Sequence, residues 1–228
     1  GGGSPTIEQN NALGNHLGEW ETALNFSSKN YDYMLYKSFP FEDGSGQGFR
    51  SPQDGIYGIY VQNKSKKKWL QNFYYEFAYS RWQSGPAGTN APEPVISHFD
   101  SSGFKYGGRD NYFNNALYRD GWSYKGRTIG LPFIYYSDER SPRGLRFPNN
   151  RILAHNLSMG LKFGTLKIDA LYSYSENFGN YYDMLEIEHD NIADYKFIPP
   201  LIQNSMLLSL EYPLQFLENT TLTAEIGA

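Results

Sequence analysis

The sequence predicts an all-β fold: an antiparallel, transmembrane β-barrel of the outer-membrane type, or a portion of one, with long irregular loops. Three observations point there. Apolar and polar residues alternate with period two over many segments, as side chains do across the two faces of a strand. These segments run to about 9–11 residues, the length a tilted strand needs to cross a bilayer. Their apolar faces carry aromatic residues near the ends, where barrels place their girdles. Two long stretches interrupt the alternation, and barrels pair one set of short connections with one set of long ones. A soluble sandwich with one solvated face also fits the alternation; the terminal aromatics and the strand length favour the barrel.

In chain order, residues 1–15 are polar and Gly-rich. They read as a loop or linker tail and lack the charged-then-apolar pattern of a signal peptide. The barrel portion is expected over 16–228. Within 16–26, Trp20, Thr22, Leu24 and Phe26 share one face, and Glu19, Glu21, Ala23 and Asn25 share the other. Residues 31–39 set Tyr31, Tyr33 and Leu35 against Asp32 and Ser38. Residues 55–62 form a weaker strand. Residues 69–79 place Trp69, Phe73, Tyr75, Phe77 and Tyr79 opposite Asn72, Glu76 and Ser80. Leu157, Met159, Leu161 and Phe163 form the next stripe. The Gly164-Thr165 turn then leads to Leu166, Ile168, Ala170, Tyr172 and Tyr174. Met206, Leu208, Leu210 and Tyr212 follow, and Leu222, Ala224 and Ile226 complete the series. Long loops are expected at 81–150 and 177–200.

Composition narrows the function. The 228 residues carry a net charge of −4, which argues against nucleic acid as a partner. There is no cysteine, so disulfide scaffolds, thiolate metal sites and Cys nucleophiles are excluded. No run approaches the roughly 20 apolar residues of a spanning helix. Mean hydropathy is −0.61, but alternating strands cancel in such an average. His16, His98, His155 and His189 are scattered without ligand spacing, and no P-loop, GxGxxG or GxSxG motif occurs. No metal or cofactor is implied, and no catalytic residue is assigned.

The chemistry-bearing stretch lies in the first long loop. Arg109, Asp110, Asn111, Tyr112, Phe113 and Asn114 are followed by Gly121, Trp122, Ser123, Tyr124, Lys125, Gly126 and Arg127. Sugars are recognised by flat aromatic faces together with amides, carboxylates and guanidinium groups. The same polar groups also serve to hydrogen-bond loop backbone and fold the loop into a plug; the two roles are compatible. Glu42-Asp43-Gly44 and Gln53-Asp54-Gly55 are turn chemistry. Glu186, Glu188 and Asp190 offer carboxylates for a cation or for glycosidase chemistry, but a solvated loop is the favoured reading. Lys64-Ser65-Lys66-Lys67-Lys68 reads as a hairpin tip or as a contact for lipid phosphates.

The central segment resembles a known family. Asp110-Asn111-Tyr112-Phe113-Asn114, Tyr118, Gly121-Trp122-Ser123-Tyr124 and Gly126-Arg127-Thr128-Ile129-Gly130-Leu131-Pro132-Phe133 are similar to the Wzi-like capsule assembly proteins of Bacteroidetes-type bacteria. Leu13-Gly14-Asn15-His16-Leu17-Gly18, Gln83-Ser84-Gly85 and Asn149-Asn150-Arg151 agree. The resemblance implies an integral protein of the Gram-negative outer membrane that holds or helps assemble capsular or surface polysaccharide. It implies a barrel of about eighteen strands, of which this chain would supply the C-terminal half. The remaining strands would come from the rest of the protein or from another subunit. Its implied partners are the polysaccharide and outer-membrane lipid, with no enzymatic step. On that reading Tyr112, Trp122 and Tyr124 stack on sugar rings. Asp110, Asn111 and Asn114 bond hydroxyls, and Arg109 and Arg127 pair with uronic acid or lipid phosphate. A structural or channel subunit of a larger outer-membrane complex, and a glycan-processing enzyme, are the alternatives.

Overall fold

A computed structural model describes residues 17–41, 51–65, 68–83, 110–115, 119–128, 131–140, 144–180, 200–214 and 220–227. Among them all regular structure is β: β1 (Gly18–Ser27), β2 (Tyr31–Phe41), β3 (Gly55–Asn63), β4 (Leu70–Tyr79), β5 (Ser123–Tyr124), β6 (Arg127–Thr128), β7 (Ile152–Phe163), β8 (Leu166–Asn177), β9 (Leu201–Pro213) and β10 (Thr221–Gly227). Eight strands form one antiparallel sheet in the order β1-β2-β3-β4-β7-β8-β9-β10, and β5 pairs with β6 alone. The order is sequential, so the sheet is a meander. Residues 1–16 and most of 177–200 lie outside the described residues.

The connections alternate in length. Residues 28–30, 64–69, 164–165 and 214–220 join strands at one end of the sheet. Residues 42–54, 80–151 and 178–200 join them at the other. At the short end Lys64 pairs with Asp32 at 2.9 Å and donates to the Ser28 carbonyl at 2.9 Å, closing the β1–β2 and β3–β4 turns onto each other.

Register sorts the side chains into two faces, because directly paired residues lie on the same side. One row runs Leu24, Leu35, Ile59, Tyr75, Leu157, Tyr172, Met206, and Ala170, Leu208 and Ile226 belong to the row beside it. This face is apolar across all eight strands, and much of it is uncovered: Leu24 is 69% exposed, Met206 50% and Ile226 65%. Its two formal charges among the described strands, Lys37 and Glu176, both sit near the long-connection end. Lys37 lies over the Phe39 and Tyr57 rings at 4.1 and 4.2 Å, and its ammonium reaches the Tyr57 hydroxyl and the Pro52 carbonyl. The stem is buried along apolar surface while the head reaches polar partners.

The strand positions match the alternation, with two differences. The Trp69–Tyr79 stripe is broken by a register shift between Leu70 and Asn72. The extra residue of this bulge puts Leu70, not Trp69, opposite Leu161 on the apolar face. The other difference is that β7 begins at Ile152, earlier than the stripe that starts at Leu157. Ile152 and Ala154 lie on the polar face, where alternation calls for polar residues. They are buried there with Ala78, against Ile56 and Phe133. Phe133 comes from the β4–β7 connection, residues 80–151 and hereafter the first long connection, so that connection folds onto the polar face at its own end of the sheet.

Candidate functional site

The first long connection is held by a buried polar hub. Asp54, just before β3, is 1% exposed. Its carboxylate accepts from the Trp82 and Gln83 backbone N–H groups at 3.1 and 2.7 Å and from the Tyr112 hydroxyl at 3.0 Å. Burial pushes its pKa up to about 7, against the lowering effect of those three donors. Burial, and then the Asp54 charge, raise the Tyr112 hydroxyl well above its usual range. One carboxylate thus ties together the loop before β3, the exit of β4 and residues 110–114.

Amides extend the hub. Asn150 Nδ2 donates to Asn111 Oδ1 at 2.5 Å and to the Tyr112 carbonyl at 2.8 Å. Gln83 Nε2 donates to the Asn150 carbonyl at 2.8 Å. Asn114 Nδ2 donates to the Phe147 carbonyl at 2.8 Å, and Asn114 Oδ1 accepts from the Phe147 N–H at 3.1 Å. A single side chain therefore satisfies both backbone groups of Phe147, as a neighbouring strand would. Phe147 is fully buried in a cluster with Tyr112, Phe113 and Ile134, against which Trp122 and Tyr136 pack.

Residues 121–128 stand outward from this cluster. Gly121 takes φ +58°, and a Cβ there would lie 2.1 Å from the Phe113 carbonyl oxygen, so only glycine fits. The Trp122 N–H then donates to that same carbonyl at 2.8 Å. Lys125 and Gly126 have φ +50° and +71°, the two positive values of a type I′ hairpin turn. They join β5 to β6 and carry Tyr124 and Arg127 to its exposed side. Tyr124 is 64% exposed, with the Lys125 ammonium 5.3 Å from its ring centroid. Nearby, Asp120 pairs with Arg140 at 3.2 Å and Arg146 at 3.3 Å.

The structure thus divides the residues singled out from the sequence. Tyr112 and Asn114 are buried, and the amides of Asn111 and Asn114 bond within the loop. Trp122 is half-buried on the cluster, and Tyr124 and Arg127 are exposed. Asp110 is partly buried and donates its N–H to the Gln83 carbonyl at 3.0 Å. Arg109, Glu42, Asp43, Lys66, Lys67, Glu186, Glu188 and Asp190 lie outside the described residues.

A second constellation was not visible in the sequence. Tyr36, Gly58, Glu76, Asn156, Ser173 and Ser205 form one register row across β2, β3, β4, β7, β8 and β9 on the polar face. The Tyr36 hydroxyl donates to Glu76 Oε2 at 2.6 Å and lies 2.7 Å from the Tyr74 hydroxyl, which also donates to Glu76. Asn156 Nδ2 donates to Glu76 Oε1 at 3.3 Å, and the Ser173 hydroxyl donates to Asn156 Oδ1 at 2.7 Å. Tyr36 reaches across only because residue 58 is glycine: a Cβ there would stand 1.9 Å from the Tyr36 ring. The members are up to 169 positions apart in sequence, and only register brings them together. Mid-strand Glu76 is the one signal that pointed here.

The polar face is also acidic. Among the described strands it carries Glu19, Glu21, Asp32, Glu76, Asp169, Glu211 and Glu225 against Lys162 and Lys167. No family model matches this chain, and neither a curated protein nor a solved structure does so.

Proposed function

We propose that this chain is a portion of a transmembrane outer-membrane β-barrel that binds capsular or surface polysaccharide non-covalently, in the manner of the Wzi-like proteins its central segment resembles. One observation carries the membrane reading. An eight-stranded antiparallel meander has short connections at one end, long ones at the other, and an apolar face across every strand, much of it uncovered. Lipid is the solvent such a face suits, and the alternation of connection length is that of outer-membrane barrels. Outer strands β1 and β10 each pair on one side among the described residues. Open edges are not tolerated in lipid, so further strands, from the same protein or another subunit, complete the barrel.

The glycan contact belongs to the outward part of the first long connection. Trp122 and Tyr124 offer ring faces, and Arg127 offers a guanidinium for a uronic acid or phosphate. Asn111, Tyr112 and Asn114 support it from beneath by fixing the loop. No bond is made or broken.

The test is fractionation and gel mobility, followed by capsule retention. The protein is expected in the outer-membrane fraction, with a band that shifts on boiling. Trp122→Ala with Arg127→Ala is expected to release capsule from a barrel that still shifts. A soluble protein without a heat shift refutes the membrane reading. Unchanged capsule retention in the folded double variant refutes the glycan reading.

A further inference from the structure

The polar row borders a concave groove where it crosses β4, β7, β8 and β9. Its volume is about 350 Å³ and its wall is mainly apolar, with Leu171 and Leu207 among its lining, while Tyr74, Asn156, Ser158, Ser173 and Ser205 bring polar groups to it. We infer that this groove is a subsite for an uncharged sugar of one or two residues. The inference rests on the glycan-binding reading above and deepens it by naming the class of sugar and a second place where it is held.

Three features carry it. The first is the donor and acceptor set. Ser205 lies directly across from Ser173, and Ser158 lies between Tyr74 and Leu171 in the adjoining row. The Ser158 and Ser205 hydroxyls make no hydrogen bond among the described residues. The hydroxyls of Tyr74 and Ser173 are already oriented through Glu76 and Asn156. The network fixes the Tyr74 and Ser173 oxygens as acceptors, and the unbonded Ser158 and Ser205 hydroxyls remain free to rotate as donors toward the hydroxyls of a sugar. The leucines supply apolar surface for its C–H face.

The second feature is size. A volume of 350 Å³ stands at the lower end of small-molecule sites, about 300–1,000 Å³. That suits a mono- or disaccharide segment. The third is charge. The groove lining holds no cation, Glu76 stands beside it, and the polar face has an excess of carboxylates. Lys167, the cation on β8, is engaged by Glu211 at 2.7 Å near the short-turn end. A uronic acid or phosphate entering the groove meets like charge with no partner. Arg127 on the outer hairpin and this groove therefore select differently, the first for acid and the second for neutral sugar.

The experiment is saturation-transfer NMR on the complete barrel, this chain together with the strands that close it, folded in detergent. The probes are cellobiose, maltose, lactose and chitobiose, with the unsaturated hyaluronan disaccharide as the acidic probe. At least one neutral probe is expected to receive saturation, and the acidic one to receive at least tenfold less from the groove. Ser205→Trp, which fills the groove, is expected to abolish the neutral signal while the heat-dependent gel shift is kept. Ser158→Leu is the second variant should Ser205→Trp fail to fold. The inference is overturned if the signal survives in a folded groove variant, if the acidic probe competes equally there, or if no neutral probe receives saturation. If Trp122→Ala with Arg127→Ala removes the neutral signal and the groove variants do not, the groove falls and the loop reading stands.

Discussion

Residues 110–114 and residues 121–128 belong to one connection and draw on the same residue types, yet they do opposite work. The first segment pairs with no strand among the described residues, and its backbone is only partly closed by backbone bonds. Asn150 takes the Tyr112 carbonyl, and Asn114 takes both backbone groups of Phe147. Asn111 and Asp54 in turn hold the Asn150 amide and the Tyr112 hydroxyl. The second segment closes its own hydrogen bonds as the β5–β6 hairpin, through the turn at Lys125 and Gly126. Its side chains are released from that duty, and Tyr124 and Arg127 face solvent. An Asn, Tyr or Arg in a loop is free to meet a ligand in proportion to how far its backbone is satisfied without it.

The sharpest test of this contrast is pH. The Asp54 carboxyl titrates near 7 in the fold, against an ordinary value of 3.8. Between those two values the unfolded loop has lost the proton that the folded loop retains. The unfolded state therefore binds fewer protons, and stability falls as pH rises. The steepest slope is about 1.4 kcal/mol per pH unit, and the whole span amounts to about 4 kcal/mol. Proteolysis of the first long connection is expected to accelerate by up to about tenfold per unit between about pH 5 and 7 and to level off above. Asp54→Asn is expected to flatten the profile. Protection that increases with pH refutes the assignment. The β5–β6 hairpin has no part in this titration, so ligand contacts at Tyr124 are expected to weaken only as the loop beneath them loosens.

Asn114→Ala comes next. It leaves the Phe147 N–H and carbonyl without their side-chain partners inside a sealed cluster. Each unpaired buried group costs about 1–3 kcal/mol, so the loop should lose about 3 kcal/mol. Cleavage of the connection in the native protein should rise by roughly 100-fold, while the eight-stranded sheet retains its β circular dichroism. Unchanged cleavage shows that Asn114 does not hold the segment.

Gly58→Ala carries the contrast to the polar face. The new methyl collides with the Tyr36 ring, which must leave its bonds to Tyr74 and Glu76. Overpacking of this kind costs about 1–3 kcal/mol. A lower midpoint of thermal unfolding is expected. Tyr36→Ala with Gly58→Ala removes the ring that the methyl meets, so it should recover part of the loss if crowding is the main cost. Equal loss in the single and double variants assigns the cost to the lost Tyr36 hydroxyl bonds instead.

Legibility followed range. The strands were readable because alternation is local: Trp20 to Phe26 or Leu166 to Tyr174 shows its faces within one segment. The bulge at Leu70–Asn72 was not, since an extra residue shows only against its partner on β7. The early start of β7 was hidden because Ile152 and Ala154 are apolar on the polar face, a choice explained by Phe133 more than fifteen positions away. The Tyr36–Ser205 row needed the register of six strands. In the first long loop the sequence offered residue types suited to two roles, loop support and ligand contact, and it left the choice between them open. Distances across the fold separate Asn114, whose amide is spent on Phe147, from Tyr124, which is not.

Tyr124→Ala has the smallest effect on stability and the clearest consequence for the contrast. The ring is 64% exposed and stands outside the buried cluster, and substitutions at such sites change stability by about 0.5 kcal/mol or less. The hairpin keeps its shape because the turn at Lys125 and Gly126 and the pairing of Tyr124 with Arg127 are backbone features. On the proposed glycan reading, loss of the Tyr124 ring should nevertheless weaken capsule binding, by roughly fivefold to tenfold for the 1–1.5 kcal/mol a well-placed ring contributes beyond its area. Melting and glycan retention measured on the same preparation separate the two effects. Asn114→Ala lowers loop stability first and binding through it; Tyr124→Ala lowers binding at constant stability. If Tyr124→Ala instead destabilises the loop as much as Asn114→Ala does, the exposed ring is structural and the division between the two segments fails.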